Sequence, residues 1–171
     1  MSFLIREEKP SDRTGVEALV AEAFAQSEHA GGGEAALVAA LRRSDAFRPG
    51  LSLVAAVNGR LAGHILFSVA FVGAQEALAL APLAVRPCFR RRGIGSALVC
   101  RGHLAAARLG FGWSIVLGSP GFYGRFGYRP AALFGIVPPP GIAPEYLMAV
   151  RLREDAPAIS GRLRYAEAFG L

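Results

Sequence analysis

The stretch LAVRPCFRRRGIGSAL, Leu83 to Leu98, sets an apolar strand-like run against three consecutive arginines and a Gly-x-Gly, then enters an apolar run of helical period. Adjacent like charges at Arg90, Arg91 and Arg92 repel, and glycine weakens the start of a helix. Something must offset both costs, and an anion is the obvious candidate. A helix N-terminus leaves its first backbone N–H groups unpaired and carries about half a positive charge. Glycine lets a phosphate approach those amides, because no Cβ stands in the way. Arg90, Gly93 and Gly95 thus form Arg-x-x-Gly-x-Gly directly between a strand and a helix, a placement that suits a diphosphate. A strand–helix turn that needs glycine only for packing, beside a solvated arginine run, explains the same residues about equally well.

Working outward, Ile94, Leu98, Gly102, Ala105 and Leu109 recur at helical spacing and predict an amphipathic helix closed by Gly110, with Arg101 and Arg108 turned away. Upstream, EALALAPLAV reads as a strand in which Pro82 cannot donate to a ladder, so a bulge or splay is expected there. Before it, LSLVAAV and LAGHILFSVAFV are two apolar strands joined at Asn58-Gly59, a type I′ hairpin signal. The N-terminal part reads as a strand at Phe3–Glu7 and a helix opened by Lys9-Pro10-Ser11-Asp12 that carries Val16, Leu19, Val20 and Phe24. A break at Gly31–Gly33 precedes a second helix from Glu34 to Arg43. Downstream come a short strand WSIVLG, a helical turn at Phe122–Phe126, and strands around Tyr146–Arg153 and Arg162–Tyr165. The order describes a mixed α/β domain with a strand–loop–helix unit at its centre.

At 171 residues, with no internal repeat and no linker, residues 1–171 are expected to form a single domain. A hydrophobic share of 53% with 19% charged residues belongs to a folded chain. Apolar runs such as Leu78–Val85 fall far short of the roughly 20 residues that cross a bilayer, and no signal peptide is read at the N-terminus. No membrane is therefore expected as a partner. Cys88 and Cys100 offer neither a disulfide framework nor metal-ligand spacing, which points to no metal and to a reducing cytoplasm. The net charge of +6 is carried almost wholly by arginine, and Arg86–Arg92 is the densest positive segment. Only Phe89 interleaves with those charges, whereas a single-strand nucleic-acid groove uses several exposed aromatics, and composition alone leaves a nucleic-acid partner open.

The segment LAPLAVRPCFRRRGIGSAL resembles the acetyl-CoA-binding core of the GNAT acetyltransferases, whose signature is Gln/Arg-x-x-Gly-x-Gly/Ala after a strand ending in a Leu-x-Val-like sequence. Leu83-Ala84-Val85 and Arg90–Gly95 match it in order and spacing. VLGSPGFYGRFGYRPA resembles the second half of that fold, with Tyr123, Gly127 and Tyr128 at the Tyr-x-x-x-Gly-Phe/Tyr positions. The element order also agrees, and the chain is similar to a bacterial branch of predicted N-acetyltransferases. The resemblance implies a mostly antiparallel central sheet flanked by helices. It implies acetyl-CoA as acyl donor, held by Leu83, Ala84, Val85, Arg90, Arg91, Arg92, Gly93, Ile94, Gly95 and Ser96. Direct attack by an amine is implied, with the Val85 N–H polarising the thioester carbonyl and Tyr123 as general acid. Many relatives place an asparagine upstream of the tyrosine, where it contacts the pantetheine arm. Val116 stands at that distance here, with Ser119-Pro120 nearer the tyrosine, so that contact is lost or made differently.

An ordinary alkylamine has a pKa of about 10.4, so a base or a water relay must take its proton. Glu28, His29 and Glu34 flank the glycine break, and each reads first as a solvated charge or a helix N-terminal acid. His64 reads as a sheet histidine, His103 as a structural residue at the edge of its helix stripe, and Cys100 as a partly buried helix residue. Cys88 adjoins the cradle without a histidine partner, which argues against an acyl-cysteine route. The acceptor is expected to be a small-molecule or protein amine, with a homodimer left open. The competing reading is a non-catalytic nucleotide- or RNA-binding module built on Arg90–Arg92. Leu83–Val85 and Tyr123 are superfluous to such a module and argue against it, so no nucleic acid is expected as a partner.

Overall fold

A computed structural model of the chain describes residues 1–25 and 32–171. Glu28 and His29 lie outside the described residues. The elements are β1 (Leu4–Glu7), α1 (Arg13–Phe24), α2 (Glu34–Arg42), β2 (Ser52–Val57), β3 (Arg60–Val72), β4 (Gln75–Val85), α3 (Ile94–Arg108), β5 (Trp113–Leu117), α4 (Pro120–Tyr123), β6 (Arg129–Pro130), β7 (Ile136–Val137), β8 (Leu147–Arg151) and β9 (Gly161–Arg164). The main sheet runs β1-β2-β3-β4-β5-β8-β6, and β9 pairs with β3 and β7. Every pairing is antiparallel except β4 with β5 and β7 with β9. The mixed, mostly antiparallel sheet flanked by helices is as the sequence implied.

Local chemistry sets the two features that shape the centre. Asn58 and Gly59 both take positive φ, 49° and 78°, as a type I′ turn requires, and this fixes the β2–β3 register. On β4, pairing with β3 passes from Leu80↔Phe67 to Leu83↔Ile65, so Ala81 and Pro82 together oppose Leu66 alone. This is the bulge that Pro82 announces. Pairing of β4 with β5 covers Leu78–Leu80 and Ser114–Val116 and then stops, so the two strands part beyond the bulge.

Helix α3 covers one face of the sheet, packing Ile94, Leu98 and Val99 against Ile65, Phe67, Leu80 and Val116. A Cβ on Gly102 would fall 2.3 Å from the Phe67 ring, so the glycine sets how closely α3 approaches β3. Helices α1 and α2 cover Val54, Leu66 and Ala84 on the other face, while the C-terminal segments cover Trp113, Ile115 and Ala149. Complete burial of a leucine or isoleucine contributes roughly 1.5–3 kcal/mol, and Leu19, Leu41, Leu66, Leu98 and Ile115 are all essentially inaccessible. Two expectations for α3 fail. Leu109 is exposed, because the helix ends at Arg108 and the stripe is completed by Val99 and Ala106. Cys100 is exposed, not partly buried.

Candidate active site

The parting of β4 from β5 opens a cavity of about 690 Å³ whose walls come from β4, the loop after it, the start of α3, α4 and the end of α1. The first wall is a strand edge that no described strand pairs with beyond Leu80. The Arg86 N–H donates to Ala62 O on β3 at 2.9 Å. Successive residues of a strand direct their backbone groups to alternate sides, so Val85 and Leu83 turn theirs toward the gap where β5 has departed. The second wall is the α3 N-terminus. Gly93 caps it at φ 81°, a left-handed conformation with no side-chain cap. The amides of the first turn are therefore available, and Gly95 and Ser96 line the cavity. A Cβ on Gly95 would sit 3.7 Å from Val85 and 3.8 Å from Phe122, filling the narrow part of the space. An anionic, elongated ligand fits these walls, with its charge on the helix terminus and its length along the strand edge.

The structure brings Leu83, Ala84, Val85, Arg90, Arg91, Gly93, Ile94, Gly95, Ser96 and Tyr123 around this one cavity. Arg92 stands apart. It does not line the cavity, and its guanidinium lies 3.1 Å from the Met1 sulfur. Arg90 lines the cavity, yet its guanidinium is spent on backbone, donating to Val85 O at 3.2 Å and to Ala23 O at 2.6 Å. It ties the C-terminal end of α1 to the end of β4. Arg91 is the exposed cation of the run that lines the cavity without such a tie, and it takes positive φ (60°) to enter the turn.

Tyr123 closes the far end. Its ring lies on the bare backbone of Gly118, where a Cβ would fall 2.5 Å from Cε2. The Phe122 ring meets it edge-on at 4.9 Å and the Tyr128 ring at 5.5 Å. Burial pushes the Tyr123 phenol up to about 12, so it is fully protonated at neutral pH and available as a donor. Ser119, Phe122, Arg125, Phe89, Ala23 and Phe24 also line the cavity, and the sequence reading missed their part in it. Val116, at the distance of the relatives' asparagine, is buried against α3, whereas Ser119 is exposed in the cavity wall.

The two described candidate histidines lie elsewhere. His64 is completely buried, with Nε2 3.1 Å from Ser52 Oγ and 3.5 Å from Glu8 Oε2. Burial holds it below the usual imidazole value despite the Glu8 carboxylate. His103 sits with Nε2 3.0 Å from Tyr128 Oη, and burial lowers it to about 4. Among the described residues that line the cavity there is no carboxylate and no imidazole.

Comparison with known proteins places these walls in a family. The family model described as an Acetyltransferase (GNAT) domain matches residues 48–130, which include the hairpin, β4, α3 and Tyr123. The uncharacterized N-acetyltransferase YjhQ of Escherichia coli (strain K12) is 33% identical over 92% of this chain and 88% of its own length. A crystal structure of the E. coli GNAT protein YhbS in complex with CoA superposes with a TM-score of 0.88 at 32% identity, covering 99% of this chain and 92% of that one. A GNAT acetyltransferase from Brucella melitensis, solved in complex with acetyl-CoA, gives a TM-score of 0.81 at 29% identity over 98% of both chains. These relatives are acetyltransferases by name, and they lend no support to a stand-alone RNA-binding module.

Proposed function

The chain belongs to the GNAT family of acetyltransferases, and on that premise we propose that the cavity beside β4 takes acetyl-CoA and presents its acetyl group to an amine for direct attack. The observation that carries this reading is the convergence of a free strand edge, a free helix N-terminus and a donor phenol on one cavity. The whole of residues 1–171 acts as one domain, in the cytoplasm. Acetyl-CoA supplies an activated acyl group, so that a C–N bond forms as the C–S bond breaks.

Each wall then has a task. The amides of Gly95 and Ser96 and the Arg91 guanidinium hold the diphosphate, where the helix dipole adds to the attraction. The backbone edge of Leu83–Val85 aligns the pantetheine arm as an added strand would be aligned. The Val85 N–H donates to the acetyl carbonyl oxygen, where negative charge grows. Tyr123 donates its phenolic proton to the departing sulfur. The burial that raises Tyr123 also raises the basicity of the thiolate, so the transfer is better matched than values in water suggest. The described lining holds no carboxylate or imidazole, and in this reading the attacking amine loses its proton to water. The acceptor is a small-molecule amine or an amine on a protein.

Two measurements test this. An amine panel read by thiol release from acetyl-CoA identifies the acceptor, and release with no amine on the panel above the hydrolytic background counts against amine transfer. Single-turnover transfer by Tyr123→Phe isolates the proton donor, because the ring stays and only the hydroxyl leaves. A loss of about 10²–10⁴-fold with cofactor affinity retained is expected. Equal rates assign Tyr123 to packing.

A further inference from the structure

Three polar side chains form a chain inside the apolar layer between α3 and the sheet. The Tyr128 hydroxyl lies 2.8 Å from Ser114 Oγ on β5 and 3.0 Å from His103 Nε2 on α3. Ser114 is completely buried and Tyr128 is 3% exposed. The surroundings are Phe67, Val99, Val116 and Met148, against which a phenylalanine at position 128 would pack with no polar group to desolvate. A phenol has one hydrogen to give and lone pairs to accept with, so the two partners satisfy it as donor and as acceptor whichever way the chain runs. The hydroxyl therefore fixes the depth and tilt of the ring that carries it.

That ring is a wall for Tyr123. The two rings meet at 79° with centroids 5.5 Å apart. Tyr123 also rests on Gly118 and meets Phe122 edge-on. Its own hydroxyl takes no protein partner among the described residues, so packing alone sets where that oxygen points. We propose that Tyr128, held by Ser114 and His103, is a positioning residue that aims the Tyr123 hydroxyl along the line to the departing sulfur.

The inference rests on Tyr123 as proton donor, and the test separates the two. Wild type, Tyr123→Phe, Tyr128→Phe and the double variant are compared in single-turnover acetyl transfer, with acetyl-CoA affinity measured separately for each. Tyr128→Phe keeps the aromatic packing, so the fold and the acetyl-CoA affinity stay within about twofold of wild type. The rate falls about 5–20-fold, because small errors of placement are costly to a positioned donor. The double variant is no slower than Tyr123→Phe, since Tyr128 acts only through the hydroxyl already removed. Ser114→Ala, which leaves both tyrosines in place, reproduces part of the Tyr128→Phe loss. A wild-type rate in Tyr128→Phe overturns the inference while leaving the donor role of Tyr123 intact. So does a double variant whose losses multiply. A wild-type rate in Tyr123→Phe overturns the donor role, and this inference with it.

Discussion

The two faces of the sheet bury polar groups of different kinds. Against α3 the chain Ser114–Tyr128–His103 is neutral, with His103 held near 4 and Tyr128 above the ordinary tyrosine value by burial. Against α1 and α2 the buried groups are charged. Arg42 on α2 reaches Glu8 beyond β1, and Glu8 also receives the Ser52 hydroxyl and lies 3.5 Å from His64. The Arg42 and Glu8 side chains are 5% and 4% exposed, and Arg42 extends to Glu17 on α1 at 2.8 Å. The neutral chain touches a cavity-lining tyrosine. The charged one meets the cavity wall only through the sheet ladder, where His64 pairs with Ala84 among the described residues, and it ties β1, β2, β3, α1 and α2 together. Neutral groups can hold an angle at little electrostatic cost. Charged groups join elements firmly but make their union depend on pH and on every partner being present.

Removing one partner from each chain is the strongest way to break this contrast. Glu8→Ala strands the Arg42 guanidinium, which among the described residues then has no partner at Nε and only the half-exposed Glu17 to face it. The expected cost is about 3–5 kcal/mol, or about 6–20 °C in Tm for a chain of this size. Tyr128→Phe on the other face should move Tm by no more than a few degrees. Thermal unfolding of both variants decides it. Similar Tm losses would mean that the charged chain holds the fold no more than the neutral one does.

Acid sharpens the same comparison on a smaller scale. His64 and His103 both have folded values depressed by burial, so below about 6.5 the unfolded chain binds protons that the folded chain does not. Stability therefore falls as pH drops from about 6.5, and the His103 share levels off near 4. Glu8 adds a second loss. Burial opposes its charge, but hydrogen bonds from His64 and Ser52 and the Arg42 charge outweigh burial and hold the carboxyl below its ordinary value. Its contribution is present above the unfolded carboxylate value and disappears as pH falls through the folded one. Urea midpoints between pH 7.5 and 4.5 should decline, and His103→Gln should remove about 1–3 kcal/mol of that decline. A flat profile would show that the buried histidines take up protons in place.

Much of the site could be read from the chain because its parts are local in sequence. The bulge follows from Pro82, the hairpin from Asn58-Gly59 and the helix entry from Gly93, each through a backbone preference of a few neighbouring residues. Side-chain destinations were not legible, because they depend on residues brought together only by folding. Ser114, Tyr128 and His103 come from a strand, the approach to β6 and a helix. The pattern reads His64 as a sheet histidine; its Nε2 has Ser52, but among the described residues its buried Nδ1 has no partner. Its link to Glu8 joins the residue that follows the first strand to the third strand. Helical periodicity placed Leu109 on the inner stripe, yet the helix had already ended. The arginine run is the clearest case, since three adjacent residues of one type separate into three different environments.

That separation yields the smallest prediction. Arg91 lines the cavity with an exposed guanidinium, whereas the Arg90 guanidinium sits on the carbonyls of Ala23 and Val85. If Arg91 meets a phosphate, Arg91→Ala weakens acetyl-CoA binding through a screened charge pair, and the loss shrinks as salt is raised. About a tenfold loss at low ionic strength, falling to about threefold near 0.5 M salt, is expected, because the Debye length drops below 5 Å over that range. Arg90→Ala acts through geometry instead. Without the tie between α1 and β4 the strand edge loosens, and affinity falls about threefold at every salt concentration. Arg90→Lys, with one ammonium in place of a fork, recovers only part of that loss, since it cannot span both carbonyls as the planar guanidinium does. Isothermal titration of the three variants at two salt concentrations separates the roles. A salt-dependent loss in Arg90→Ala would show that its guanidinium leaves the carbonyls for the phosphate when the ligand binds. Equal affinity for Arg91→Ala and wild type would leave the α3 amides as the sole anchor of the diphosphate.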